Sequence, residues 1–238
     1  RQMCIRDRTN ADLVATVTVT PTYTNDGVDC TGPSEEFTIT VSPTAQVEQV
    51  DDIVVCNGDE VAEIVFATTS ENDIAYSWSI DTEIGTQSLT GVGNIPLFEA
   101  DNDTNDPIVA TVPVTPSNDE TEPSLTCEGS SIEFTITVNP TAQVDPVDSL
   151  DLCNGDTAVV DFTTSNGGVD SVTTYSWEIT GGDSVFVGGA LSDVGNINLP
   201  VINETNADLV ATITVTPTYT NDGVDCTGPS EEFTITVS

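Results

Sequence analysis

From Phe37 the chain reads Phe-Thr-Ile-Thr-Val, and the same five residues return at 134–138 and 233–237. Apolar Phe, Ile and Val alternate with Thr at period two, the pattern of a strand with one buried and one wetted face. A second alternation, Tyr76-Ser-Trp-Ser-Ile80, sets Tyr76, Trp78 and Ile80 against Ser77 and Ser79; Tyr175, Trp177 and Ile179 repeat it. On the closing strand Phe134, Ile136 and Val138 fall inward by the same parity. The candidate core is therefore Tyr76, Trp78 and Phe134, with Tyr175, Trp177 and Phe233 as their copies. No segment has the 3.6-residue period of an amphipathic helix.

The alternating segments belong to a larger repeat. Residues 43–139 and 140–238 share Pro-Thr-Ala-Gln-Val at the start, then Cys-Asn-Gly-Asp (56–59 and 153–156) and Tyr-Ser-Trp (76–78 and 175–177). They also share Val-Gly-Asn-Ile, Val-Ala-Thr, a second Cys and the closing strand. Residues 9–42 match 205–238 everywhere except Val17 against Ile213, so they read as the back end of a third unit. In the first full unit the pattern predicts strands near 45–50, 53–56, 61–68, 74–80, 95–100, 108–115 and 132–138. About seven short strands punctuated by Gly, Pro, Asn and Asp predict an all-β sandwich. The expected division is 9–42, 43–139 and 140–238, with 9–42 packed on its neighbour or splayed as a bare sheet. The junction Val138-Asn-Pro-Thr141 leaves almost no linker, and Pro holds the preceding residue extended. A stiff tandem array is expected.

Charge sharpens this picture. Residues 1–8, Arg-Gln-Met-Cys-Ile-Arg-Asp-Arg, share nothing with the repeats, and all eight match the translation of a transposon-end sequencing oligonucleotide. They are read as an adapter-derived artefact outside the fold. The three basic residues of the chain, Arg1, Arg6 and Arg8, all lie there, and there is no His. Setting aside Asp7 leaves 39 of the 40 acids, with no cation to oppose them. Each carboxylate must then find water, a backbone N–H, a hydroxyl, an amide or a bound cation. Such charge repels nucleic acid and anionic membranes, so neither is expected as a partner. No apolar run approaches the roughly 18 residues of a membrane span.

The strings Val-Asn-Pro-Thr-Ala-Gln-Val, Val-Cys-Asn-Gly-Asp, Tyr-Ser-Trp, Gly-Asn-Ile and Phe-Thr-Ile-Thr-Val, in that order, resemble the PKD-like repeats of very large bacterial surface proteins. Those are immunoglobulin-like modules in tandem, often placed before gliding-motility or secretion-sorting domains. The likeness covers 9–238. The Trp-Asp-Phe-Gly-Asp-Gly run of PKD domains proper is replaced by Tyr-Ser-Trp-Ser-Ile-Asp and Tyr-Ser-Trp-Glu-Ile-Thr. The resemblance implies tandem immunoglobulin-like/PKD-like β-sandwiches with a structural or adhesive role and no catalytic residues.

Candidate chemistry is sparse. Aligning the repeats pairs Cys56 with Cys127 and Cys153 with Cys226, one disulfide per unit, with Cys30 unpaired by truncation; buried free thiols are the alternative. Zinc lacks both His and a Cys-x-x-Cys. Asp101, Asp103 and Asp106 offer oxygens suited to Ca²⁺, but the stretch lacks the EF-hand spacing, and its copy is Ile202-Asn-Glu-Thr-Asn-Ala207. Solvated turns account for such residues equally, and no other cofactor is indicated. Trp78 and Trp177 could stack on sugars, although their parity marks them as core. The ladders Thr16, Thr18, Thr20 and Thr212, Thr214, Thr216 are ordinary for a wetted strand face. With no His or Lys, and carboxylates scattered over turns, no enzyme is expected. The reading is a non-catalytic spacer or stalk of a secreted bacterial cell-surface adhesin, partnered by its own neighbouring repeats. The alternative is that the repeats themselves bind a glycan or protein ligand, with or without Ca²⁺.

Overall fold

The fold is described by a computed structural model, which covers residues 3–5, 11–69, 73–118 and 127–238. All regular structure among these residues is β. Among the described residues no helix is long and apolar enough to cross a membrane.

The first five strands are β1 (Met3–Ile5), β2 (Leu13–Val19), β3 (Thr22–Asn25), β4 (Val28–Thr31) and β5 (Glu35–Pro43). β2 and β1 flank β5, antiparallel and parallel respectively, while β3 and β4 form a separate hairpin. Met3–Ile5 therefore pairs with the fold, although 1–8 was expected to stand outside it. The sheet and the hairpin are both bare: Phe37 on β5 is 51% exposed and Tyr23 on β3 69%. Their copies Phe233 and Tyr219, in the same local sequence, are 4% and 1% exposed. Sequence pattern made the strand in both places; Phe233 is buried by the opposing layer, and Tyr219 by a small cluster with Ala142 and Cys226.

The next eight strands are β6 (Ile53–Cys56), β7 (Glu60–Val61), β8 (Ile74–Ser79), β9 (Thr90–Val92), β10 (Phe98–Glu99), β11 (Ile108–Asn118), β12 (Cys127–Glu128) and β13 (Ile132–Asn139). The last eight are β14 (Leu150–Leu152), β15 (Thr157–Val160), β16 (Val172–Gly182), β17 (Ser192–Val194), β18 (Ile197–Pro200), β19 (Leu209–Asn221), β20 (Val224–Thr227) and β21 (Glu231–Val237).

Both sets have one topology. The large sheet runs β6-β13-β11-β8-β9, repeated as β14-β21-β19-β16-β17, with β12 and β20 extending the hairpins of β11 and β19. The first strand lies parallel to the last. Two short strands, β7–β10 and β15–β18, make the opposing layer. This is the immunoglobulin-like β-sandwich arrangement, in which successive strands cross between sheets and the closing hairpin sits centrally.

The core lies between the layers. In the first unit Val61 and Phe98 of the small sheet meet Tyr76, Trp78, Val112, Phe134 and Ile136 of the large one. In the second, Ala158 and Val160 meet Trp177, Ile213, Phe233 and Ile235, with half-buried Tyr175 against them. Phe162 joins that core through ring contacts to Tyr175 at 5.5 Å and Phe233 at 6.3 Å.

Three elements differ from the expected strands. The 45–50 stretch is not a strand; Glu48 N–H donates to the Ala67 carbonyl at 2.9 Å, without a continuous ladder. Within 61–68 only Glu60–Val61 pairs, plus a lone bridge from Ile64 to Ile95. β9 was unexpected because Thr-Gly-Val is too short to show alternation.

Candidate functional site

The cation-free sequence dictates how the carboxylates are held. Asp52 accepts from Thr135 N–H at 2.7 Å and Asp81 from Thr111 N–H at 2.8 Å. Asp29 and Asp225 accept from the hydroxyls of Thr24 and Thr220 at 2.6 and 2.7 Å, and Asp161 from the Asn196 amide at 2.8 Å. The backbone donor of Thr111 holds the Asp81 carboxyl below its ordinary range. Burial pushes the phenols of Tyr76 and Tyr175 up. The threonine ladders are consumed in the same way: Thr214 shares a 2.7 Å hydrogen bond with Thr180, and Thr216 one of 2.7 Å with Ser230.

The densest polar and covalent constellation is the joint between the two full units. Cys56 closes β6 at one end of the first large sheet, beside Asn139. Cys226 lies on the β19–β20 hairpin of the second unit, paired with Tyr219. The two sulfurs are bonded, with Cα atoms 5.5 Å apart. Around them Asn57 Nδ2 donates to Thr141 Oγ1 at 2.9 Å and Asn221 Nδ2 to Asn139 Oδ1 at 2.8 Å. Gly167 N–H donates to the Asn105 carbonyl at 2.9 Å. Ala142, Tyr219 and Cys226 form a small buried cluster there, with Cys56 and Val224 packed against it. Gly228 has to be glycine: a Cβ would stand 1.8 Å from the Ala142 carbonyl oxygen.

The expected pairings Cys56–Cys127 and Cys153–Cys226 are thus corrected. Cys56 bonds Cys226 across the joint, and Cys153 is free and exposed, as is Cys30. Cys127 is buried and also disulfide-bonded, to neither Cys56 nor Cys153. Geometry gives the reason. In the second unit Leu152, beside Cys153, lies level with Val237 and Leu209, whereas Cys226 lies level with Tyr219. Ten strand residues separate those levels, roughly 33 Å at ~3.3 Å each, against the ~4.4–6.8 Å that a disulfide spans. The two cysteines of one unit stand at its opposite ends.

The candidate calcium ligands are not gathered. Among the described residues no group of three or more His, Cys, Asp or Glu converges. The organiser of the 101–106 loop is Asn102, which sequence reasoning passed over. It is 2% exposed, donates to the Val138 and Asp106 carbonyls at 2.7 and 2.9 Å, and accepts from Thr104 N–H at 2.9 Å. Asn203 repeats this with Val237, Ala207 and Thr205. The visible signal was Asn-x-Thr retained in both units while the acids around it changed.

Trp78 and Trp177 are 7% and 2% exposed. Beside Trp78 lies an open cavity of about 330 Å³ lined by Thr86, Val92, Pro96 and Leu97 among others. In the second unit Phe186 covers Trp177, ring to ring at 5.5 Å. The first unit has Gly85 there, since Ile84 and Val185 accept equivalent backbone bonds from Asp101 and Ile202.

Neither a family model nor a curated protein matches the chain. Solved structures do. The insect immune protein hemolin is 12% identical with a TM-score of 0.34, the match covering 93% of this chain and 56% of hemolin. Mouse protocadherin-24 EC1-3 is 13% identical with a TM-score of 0.42, covering 94% of this chain and 80% of that one. The three N-terminal domains of the bacteriophage RB49 outer capsid protein Hoc are 10% identical with a TM-score of 0.43, covering 94% and 88%.

Proposed function

We propose that the chain is a non-catalytic spacer, a run of stacked sandwiches that projects other domains from a cell surface. The observation that carries this reading is the joint: a disulfide, a buried Asn139–Asn221 contact and an Asn57–Thr141 contact fix one repeat against the next. A recognition module needs an accessible face; a spacer needs immobile joints. The disulfide suits an oxidising, extracellular compartment. The bacterial setting, near gliding-motility or sorting domains, rests on the motif resemblance, and the division at 9–42, 43–139 and 140–238 on the internal repeat of the sequence. The adapter origin of 1–8 rests on its eight matched positions. Small-angle scattering on the whole chain tests the reading. The oxidised chain should keep one extended length distribution, and the Cys56→Ala/Cys226→Ala chain should broaden it. Identical distributions would refute a stapled spacer.

The cavity beside Trp78 favours a second reading, in which the first unit binds a small ligand such as a sugar. Retention of the chain on a glycan array, lost on Leu97→Asp at the cavity wall, would establish it. Ca²⁺ then has only the oxygens of scattered acids to offer assistance.

A further inference from the structure

We infer that Cys153 and Cys30 are the two open halves of the bond that Cys56 and Cys226 complete. Cys153 is a covalent docking site for the Val-Asp-Cys-Thr hairpin of a further repeat of this kind joined behind it. The inference is independent of the spacer reading, since a binding array could be stapled in the same way.

Both halves are built as the bonded ones are. At the strand-end half, Cys56 N–H donates to Asp59 Oδ2 at 3.1 Å, and Cys153 N–H to Asp156 Oδ2 at 2.8 Å. Asn57 N–H meets the Asn139 carbonyl at 2.9 Å, and Asn154 N–H the Ser238 carbonyl at 3.0 Å. Asn57 Oδ1 accepts from Asn102 N–H at 2.8 Å, and Asn154 Oδ1 from Asn203 N–H at 2.9 Å. At the hairpin half, Cys30 lies opposite Tyr23 as Cys226 lies opposite Tyr219. Asp26 and Asp222 share a φ of 48°, and the glycines that follow have φ of 78° and 76°. Tyr219 donates to the Gly167 carbonyl, packs with Ala142 and Cys226 of its own repeat and with Cys56 of the one before, and is 1% exposed; Tyr23, whose repeat lacks the counterparts of Ala142 and Gly167, is 69% exposed.

The partner is a tethered repeat because the observed joint uses its tether. Thr141 takes the Asn57 amide, and Asn139 takes the Asn221 amide of the hairpin, on either side of the Asn139-Pro140 link. The hairpin of a free molecule would arrive without the covalent link that holds both contacts in place.

Closure is an exchange. The Cys153 thiolate attacks a small disulfide such as oxidised glutathione, releasing one thiolate and forming a mixed disulfide. The hairpin thiolate then displaces the second thiol. Two cysteines are oxidised, one disulfide is reduced, and two protons leave the thiols.

The test extends the chain at Ser238 with a second copy of residues 140–238 and oxidises it with glutathione. An acid-directed protease then maps the bonds by mass spectrometry, trypsin having no sites in the repeats. We expect Cys153 linked to the appended hairpin cysteine, with loss of its iodoacetamide labelling. Cys153 still labelled, bonded to Cys226 of its own repeat, or recovered with Cys30 of a second molecule would each overturn the inference. Should the extension misfold, native labelling of the unextended chain decides. Labelling of Cys30 and Cys153, with Cys56 and Cys226 spared, supports the two open halves; labelled Cys56, or Cys153 spared, refutes them.

Discussion

Replacing both partners of the joint disulfide, Cys56→Ala/Cys226→Ala, tests the architecture most directly. The bond closes a separation of 170 residues. In the chain-entropy account a loop of that length restricts the unfolded ensemble by about 5 kcal/mol at 25 °C. The relevant event is smaller. If the second repeat unfolds alone while the first stays folded, the loop runs over the 86 positions that separate Pro140 from Cys226. The same relation then gives about 4.5 kcal/mol. Each repeat carries one Trp in its core, Trp78 or Trp177, so fluorescence can follow them separately once the other is changed to Phe. With a urea m-value of ~2 kcal/mol/M for a domain of this size, the Trp177 transition should fall by about 2 M. The Trp78 transition should move much less, because its repeat keeps its own core and Cys127 bond. Equal Trp177 midpoints for the bonded and unbonded chains would refute the cross-joint assignment, and so would a loss confined to Trp78.

Asn203→Ala, which strips the Val237 and Ala207 carbonyls of a buried donor, should cost about 2–4 kcal/mol in the Trp177 transition; a change below the urea-melt error would mean the loop holds itself. Phe134→Ala should cost about 3–5 kcal/mol in the first repeat, read from the Trp78 transition. Thermal midpoints should rise with NaCl, because screening weakens repulsion among 39 acids that the repeats leave unopposed; a flat series from low to high salt would refute this. The Tyr76 and Tyr175 phenols titrate above 10.0 in the folded chain, so their contribution is present below that value and lost as pH rises through the folded pKa. Tyrosinate absorbance from Tyr76 and Tyr175 should therefore rise at higher pH in the folded chain than in the chain unfolded in urea. Asp81 runs the other way: its depressed pKa contributes stability above the ordinary carboxylate range that disappears as pH falls through the folded value. Asp81→Asn should flatten that acid limb in pH-dependent melts.

Much of the fold was legible because alternation is a local property. Tyr76 and Trp78, Phe134 and Ile136 each declared their face through the Ser or Thr between them, and the core follows that parity. The lack of cations in the repeats likewise forced the carboxylates onto N–H and hydroxyl donors. The cysteine partners were not legible. Aligning repeats says that Cys56 and Cys153 are equivalent, but not whether a contact closes within a unit or across a joint; that depends on which end of the sheet each occupies. β9 was lost for a different reason, since three residues cannot display a period. Asn102 was hidden among more conspicuous acids.

The bond between Cys56 and Cys226 also decides where tension would travel if the molecule were pulled from its two ends. Force entering near β6 can cross the sulfur bridge and leave near β21 without passing through the residues in between. Most of both sandwiches would hang off the taut path as slack that cannot be drawn out. The length withheld is roughly 580 Å at about 3.4 Å per residue over that 170-residue span. A tether made this way resists lengthening by covalent chemistry rather than by the strength of its hydrophobic cores, and reduction is what would release it.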